Sequence, residues 1–432
     1  MNLRNIHTIF PPLAGMLLAL LMAACNDNPT TIGDDYIPNN VQFTTYTLKP
    51  GEIEVMSDIA TVSNSSSNGN GAVLVGRDDD GTIANGLLSV TETSPLFKDA
   101  GRQITKVELQ LRPLGYRSTR DSGRDISFDV VALDSTFSPN EQWSDLLTSR
   151  VESAPVIGSF SGNYPDSGVI RFELNLAGAT DFLRSYYQIR PNSSNPSDSI
   201  FIVKSLALRS RAGNHRIVSF LGATTTASLD TLRPTLKITF ADTAHTVRAG
   251  VSNWVVKYPA SVPTGSGVIT LAAGAPVRTL LKLRLDSIPT TATIHQTELT
   301  LRIDTARSRY GSTGATTRMI GYLGDVATLN QSSYLANTKL RLTGYRITQD
   351  STNFTDKFRY LGMAPLLTEW LQAVRGTGGS PNYGLVLGLD RGVLSSNVEA
   401  TSVDRLIFFG NDAADSSLRP TVTITYSTQT SR

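Results

Sequence analysis

Two nine-residue stretches of this chain are nearly identical, and they constrain the fold more than any other feature of the sequence. Residues 232–240 read LRPTLKITF and residues 418–426 read LRPTVTITY, so that Arg233 corresponds to Arg419. In both, apolar and polar residues alternate after the Arg-Pro pair, which is typical of a β-strand with one buried face. We interpret them as the closing strands of two copies of one β-domain.

Two further pairs of segments support a duplication. ITKVELQLR at 104–112 matches IHQTELTLR at 294–302, and TDFL at 180–183 matches TEWL at 368–371. Because the three pairs occur in the same order at nearly one spacing, they indicate an internal duplication. The sequence distance between corresponding residues of the paired segments is too long for a solenoid repeat. Each copy is therefore expected to be a domain with its own core.

Residues 1–24 are predicted to be an export signal. Arg4 is the only charged residue before Asp27, and residues 13–24 form an unbroken run of apolar and small side chains. This run is shorter than the about twenty residues that span a bilayer, and it suits the apolar region of a secretory signal.

Cys25, the only cysteine, follows this run directly. The sequence before it, Met22-Ala23-Ala24, resembles the lipobox of bacterial lipoproteins, although Leu21 lies one place further from the cysteine than in typical members. The resemblance implies that residues 1–24 are a lipoprotein signal peptide and that residues 25–40 are a tether lipidated at Cys25. An ordinary cleaved signal peptide and a buried thiol are the alternatives.

Charge and cysteine content exclude some classes of protein. The chain carries 39 basic and 37 acidic residues, a formal net charge of +2, so no nucleic-acid partner is expected. With one cysteine no intramolecular disulfide can form, and stability must come from hydrophobic cores.

The pattern of residue types from residue 41 onward predicts an all-β fold. Short apolar runs are interrupted by Gly, Ser, Asn and Asp, as in sandwiches and barrels. We predict two tandem antiparallel β-sandwich domains, at 41–241 and 242–428, with one short helix each. In ITKVELQLR the apolar residues Val107, Leu109 and Leu111 are expected to face the core.

The clearest helix is predicted over 365–375. Leu366, Leu367, Trp370, Leu371 and Val374 fall on one face, and Gly376 follows as a stop. We expect Trp370 in the core. The counterpart in the first copy is predicted around 180–187.

Residues 278–301, RTLLKLRLDSIPTTATIHQTELTL, resemble the opening of DNRLRE-type domains. The shared features are an Arg- and Leu-rich strand, a Ser-Ile-Pro turn and a strand with Glu-Leu-x-Leu, and Arg419-Pro420 matches the family's closing segment. In the first copy, residues 73–81 look like a motif of an uncharacterised family of Bacteroidota lipoproteins. The resemblance implies a jelly-roll β-sandwich on a secreted or surface protein. Some relatives are carbohydrate-binding modules, which makes glycan binding a hypothesis.

No catalytic residues are predicted. His215, His245 and His295 lie in no HExxH arrangement, which excludes a zincin motif. Glu108 and Glu298 occupy the same place in the two copies, but each is expected on the polar face of its strand beside a basic partner such as Lys106. A glycosidase would need two converging carboxylates.

Two candidates for ligand binding remain. Asp78, Asp79 and Asp80 precede Gly81 in a turn and could bind Ca²⁺, with a solvated hairpin turn as the alternative. Four tyrosines lie in Gly-, Ser- or Asn-containing loops and could stack on sugars: Tyr116, Tyr164, Tyr310 and Tyr334.

The sequence therefore predicts an exported protein, lipid-anchored in the cell outer membrane or periplasm, with surface exposure left open. It is predicted to act without catalysis by binding glycan or matrix. The alternative is a scaffold subunit that docks another envelope protein, and an enzyme of glycan metabolism is the third hypothesis.

Overall fold

The computed structural model describes residues 41–59, 71–90, 101–118, 125–138, 143–185, 187–189, 199–201, 204–223, 231–274, 277–309, 311, 320–321, 342–343, 357–360, 362–379, 382, 384–389 and 402–429. In these ranges the chain is mostly strand, with three α-helices, which confirms the predicted all-β class. None of these three helices has the length and apolarity needed to cross a membrane.

The helices are α1 (Asp145–Ser153), α2 (Leu176–Arg184) and α3 (Ala364–Arg375). The strands before residue 258 are β1 (Val41–Thr47), β2 (Ile53–Ile59), β3 (Ala72–Arg77), β4 (Ile83–Val90), β5 (Ile104–Leu111), β6 (Pro113–Arg117), β7 (Asp125–Leu133), β8 (Val156–Asn163), β9 (Ile170–Glu173), β10 (Tyr187–Ile189), β11 (Ser199–Phe201), β12 (Lys204–Ser210), β13 (Arg216–Leu221), β14 (Thr235–Phe240) and β15 (Ala244–Lys257). Those after it are β16 (Gly265–Ser266), β17 (Ile269–Ala272), β18 (Val277–Leu283), β19 (Thr293–Arg302), β20 (Ile320–Gly321), β21 (Leu342–Thr343), β22 (Lys357–Tyr360), β23 (Leu385–Leu387), β24 (Arg405–Phe408) and β25 (Thr421–Gln429).

The first sandwich packs two antiparallel sheets around one core. One sheet has the order β9-β5-β14-β15, and the other combines β8-β7-β12-β4 with β3, β13, β6 and the second part of β15. The predicted inward residues Val107, Leu109 and Leu111 are buried between these sheets. The alternation predicted from the sequence is therefore confirmed for β5.

The second sandwich has the same plan. Its sheets have the orders β22-β19-β25-β1 and β16-β2-β18-β17-β24, and β23 also pairs with β18. Its core contains Leu281 from one sheet and Leu299 and Ile424 from the other, together with Trp370 from α3. Trp370 is 1% exposed, as predicted.

The duplicated segments hold equivalent places in the two sandwiches. On β14, Leu236 lies opposite Leu109 of β5, and on β25, Val422 lies opposite Leu299 of β19. These are corresponding residues of the repeated stretches. The duplication read from the sequence thus extends to the strand register.

Two further details repeat. The register of each closing pair shifts at one residue, which is Thr105 in the first sandwich and His295 in the second. These residues also correspond in the repeat, so the β-bulge is duplicated with the strands. Helix α2 packs beside β5 and α3 beside β19, with Phe182 and Trp370 buried at corresponding positions.

The strand pairing corrects the predicted domain limits. Residues 41–59 were expected in a first domain spanning 41–241, but β1 pairs with β25 and β2 pairs with β18 of the second sandwich. Conversely, β15 lies beyond residue 242 and pairs with β14 and β4 of the first sandwich. Alternation identifies a strand, but it carries no information about a partner that is distant in sequence.

The predicted helix at 365–375 is confirmed as α3, and Gly376 ends it in the left-handed conformation at φ 70°. Its counterpart α2 begins earlier than predicted, at Leu176. Two expectations were wrong. Val374 is 71% exposed, because it lies in the last turn beyond the last buried position, Leu371. The first sandwich also has the additional helix α1, capped by the Ser144 hydroxyl.

Candidate functional site

Tyr116 does not stack on a ligand, because it is buried between the two sandwiches. Its ring is 3% exposed, and its hydroxyl donates to Asp404 Oδ1 at 2.8 Å and accepts from the backbone N–H of Val403 at 3.0 Å. Burial, and next the Asp404 charge, raise the pKa of Tyr116 well above its ordinary value. Tyr116, predicted in a loop, thus lies on strand β6 and is a structural donor between the two sandwiches.

Tyr164 is also buried and is not a stacking residue. It is fully excluded from solvent, and its hydroxyl donates to the carbonyl of Ser219 at 2.5 Å and accepts from the N–H of Gly115. The composition of a loop does not show which way its aromatic residue faces. Tyr310, Tyr334 and Cys25 lie outside the described residues.

The three carboxylates of the turn at 78–80 diverge rather than converge on a metal. Asp80 forms an ion pair with Arg405 of the second sandwich, while Asp79 contacts His215 Nδ1 at 2.6 Å. Within the described ranges, no group of three or more His, Cys, Asp or Glu residues could hold a metal ion. The geometry around Asp78, Asp79 and Asp80 therefore favours the turn over the Ca²⁺ site.

The Asp80–Arg405 pair joins the two sandwiches. Their side chains are 13% and 5% exposed, and Arg405 also donates to the Thr82 hydroxyl. Burial alone would raise the pKa of Asp80, but hydrogen bonds from Thr82 and the charge of Arg405 outweigh it and lower the pKa. Burial, and next the Asp80 charge, raise the pKa of Asp78.

Glu108 and Glu298 form no acid pair. Lys106 Nζ lies 3.1 Å from Glu108 and 2.8 Å from Glu173, which agrees with the predicted basic partner. Glu298 lies on β19 of the other sandwich and accepts from the Thr300 hydroxyl at 3.1 Å. The two carboxylates are therefore on different sheets of different sandwiches.

The described surface includes a face rich in hydroxyl groups on the sheet β22-β19-β25-β1. Tyr46, Val422, Ile424 and Tyr426 turn toward the core, so the alternate residues of β1 and β25 face outward. We call the outward group the threonine face, and its members are Thr45, Thr47, Thr423, Thr425 and Ser427, of which Ser427 is buried at 8% exposure.

Hydroxyls of the threonine face pair across the two strands. Thr45 lies opposite Thr425 and Thr47 opposite Thr423, and in each pair the Oγ1 atoms are 3.2 Å apart. A pair of hydroxyls that share one hydrogen bond still has one donor and several lone pairs available. The face therefore presents a regular array of hydroxyl donors and acceptors, next to the carboxylate of Glu298, which lies opposite Thr423 on the neighbouring strand β19.

An aromatic ring borders this array at one end. Phe43 is 54% exposed and lies opposite Ser427, and its ring centroid is 5.2 Å from that of His295. His295 Nε2 is 2.7 Å from the Ser427 hydroxyl. The register shift at His295 thus places an imidazole on the outer face beside an exposed phenyl ring.

The size of the face suits a short chain of sugar rings. Three adjacent strands are roughly 10 Å across, and three outward residues along one strand cover roughly 14 Å. A pyranose has an apolar C–H face that can lie on a phenyl ring and hydroxyls that can pair with threonine.

The equivalent face of the first sandwich has different chemistry. Lys237 holds the place of Thr423, and it lies opposite Thr246, which corresponds to Thr47. On the neighbouring strands Lys106 forms ion pairs with Glu108 and Glu173. Both faces carry a carboxylate at the corresponding place, Glu108 and Glu298, but Lys237 interrupts the hydroxyl array of the first sandwich. The continuous cross-strand array of hydroxyls therefore belongs to the second sandwich.

The threonine face was not predicted from the sequence, although part of its pattern occurs there. Alternating threonines occur in TTYT at 44–47 and TVTITY at 421–426. Each stretch by itself is an ordinary strand pattern. Only the pairing of β1 with β25 brings the two sets together.

No family model, curated protein or solved structure matches the chain. The resemblance to DNRLRE-type domains stays a prediction, and the case for function rests on the described residues.

Proposed function

We propose that this is an exported, lipid-anchored cell-envelope protein that binds glycan without catalysis, through the threonine face of its second sandwich. The observation that carries the proposal is the cross-strand hydroxyl array bordered by the exposed ring of Phe43. Hydroxyls and an aromatic ring suit a hydroxylated ligand, and the carboxylate of Glu298 opposite Thr423 disfavours an anionic one.

The test is binding of the mature chain to a panel of neutral and acidic oligosaccharides, followed by the effect of single substitutions on Kd. Phe43→Ala removes the ring, and we expect a loss of about 1 kcal/mol, or about fivefold in Kd. Thr425→Val removes one hydroxyl at nearly constant volume and is expected to weaken binding by a similar factor.

Thr246→Val is the matched control, because Thr246 corresponds to Thr47 but lies on the charged face of the first sandwich. It should leave the affinity unchanged. No binding by any oligosaccharide, or equal losses in the control and in Thr425→Val, would contradict the proposal.

The anchor is tested separately by the intact mass of protein extracted from host membranes. The proposal expects the mass of the chain from Cys25 plus acyl groups, which contribute about 0.8 kcal/mol per buried CH₂ to membrane binding. A Cys25→Ala variant should lose this added mass. An unmodified mass in both proteins would remove the anchor from the proposal and leave the glycan face to be tested in solution.

A further inference from the structure

The two sandwiches are completed by equivalent strands that come from different parts of the chain. In the first, β15 pairs with β14 along its first part and with β4 along its second. In the second, β1 pairs with β25 and β2 pairs with β18. The segment 41–59 thus holds the place in the second sandwich that β15 holds in the first.

The connections to these strands differ greatly. Only residues 241–243 separate β14 from β15, so the first sandwich is completed locally. In the second sandwich β1 precedes its partner β25 by almost the whole chain. A strand joined by a short turn stays with its neighbour, whereas a distant one is held by its contacts alone.

The described contacts of the segment 41–59 are made with the second sandwich. Leu48, Ile53 and Val55 lie in its core, and the backbone N–H of Leu48 donates to the carbonyl of Val422. At the turn between β1 and β2, the carboxylate of Glu52 accepts from the Ser287 hydroxyl at 2.5 Å. A second molecule carries every one of these partners.

We propose that the segment 41–59 of one molecule can complete the second sandwich of another, so that the partner of this surface is a second copy of the chain. The inserted segment makes the same hydrogen bonds and core contacts in either case, and exchange costs only the entropy of joining two molecules. That cost falls when molecules are concentrated, as the lipid anchor of the proposed function would concentrate them. Residues 60–70, ATVSNSSSNGN, span roughly 40 Å when extended and link β2 to β3.

The test uses two single-cysteine chains in a Cys25→Ala background, Thr47→Cys and Thr423→Cys. These residues are opposite each other with Oγ1 atoms 3.2 Å apart, a geometry that a disulfide can bridge. The two chains are unfolded, mixed, refolded and oxidised. Exchange predicts a covalent dimer joining one chain of each kind, because the cysteines meet only between molecules.

The first sandwich supplies the matched control. Lys237→Cys and Thr246→Cys occupy the corresponding opposite positions on β14 and β15, whose short connection prevents exchange. This mixture should give no covalent dimer. The double variant Thr47→Cys/Thr423→Cys should close a disulfide within one chain and shows that the pair can form.

Two results would overturn the proposal. One is a yield of mixed dimer no higher than that of the control pair. The other is wild-type chain that stays monomeric by light scattering at every concentration. Mixed dimer well above the control, together with a dimer of wild type that grows with concentration, supports it.

Discussion

At the residue scale, the polar groups between the sandwiches depend on one another. Asp404 accepts from Tyr116 and from the N–H of Gly311, and the neighbouring Arg405 pairs with Asp80. Buried polar groups of this kind are costly when a partner is lost. Removing a single polar atom from this group should therefore lower the free energy of unfolding.

Tyr116→Phe removes one hydroxyl and leaves the buried Asp404 with one donor fewer. We expect a loss of about 1–3 kcal/mol in the free energy of unfolding, measured by urea denaturation. Asp80→Asn is expected to behave as non-additive with it in a double-mutant cycle, because Asp404 and Arg405 are adjacent. Full additivity would show that the two contacts act independently.

Asp80 should also make stability depend on pH. Because its folded pKa is lowered from 3.8, its contribution is present above that value and is lost as pH falls through the folded pKa. We expect Asp80→Asn to cost about 3 kcal/mol at pH 7 and progressively less in acid, measured by denaturation between pH 7 and pH 3. A difference that stays constant over this range would contradict the assignment. The raised pKa of Asp78 has the opposite effect on stability, because its protonated form is favoured in the folded state and stability falls as pH rises through its titration.

At the element scale, the structure shows which predictions can be made locally. The inward residues of β5 and the bounds of α3 follow from periodicity within one segment, and both were predicted. Tyr116 was misassigned because its acceptor, Asp404, lies far away along the chain, and no local pattern reports such a contact. The threonine face was missed for the same reason, since it needs the register of β1 against β25.

The orientation of helix α3 can be tested by comparing a buried residue with an exposed residue of the same helix. Trp370→Ala leaves a large cavity in the second core, and we expect a loss of about 3–5 kcal/mol in stability. Val374→Ala lies on the same helix but is 71% exposed, so it should change stability by less than about 0.5 kcal/mol. Similar losses for both, measured by thermal unfolding, would contradict the observed orientation of the helix.

At the scale of the whole molecule, the second sandwich is completed by a segment that precedes the first sandwich in the chain. The closing strand β25 has β19 on one side and β1 on the other. Without β1 the sheet loses its edge strand, and β25 becomes the exposed edge. The core would at the same time lose Leu48, Ile53 and Val55. Stability of the second sandwich is therefore tied to the segment 41–59.

A chain starting at residue 71 should keep the first sandwich and lose the second. We expect limited proteolysis to cut preferentially after residue 265, and a dye that binds exposed apolar surface to fluoresce more strongly. A chain starting at residue 41 is the control and should resist both. Equal resistance of the two chains would show that β1 and β2 are dispensable.

The pairing of Val41 with Gln429 has a mechanical consequence. These two residues therefore lie at the same end of one antiparallel strand pair. A force that holds the C-terminal end and pulls on the segment before Val41 would open the β1–β25 ladder one residue pair at a time, rather than shear all of its bonds together. Opening the ladder one pair at a time needs little force. The second sandwich would therefore unfold first under tension between Val41 and Gln429. The first sandwich, in which a short turn joins β14 and β15, would stay folded.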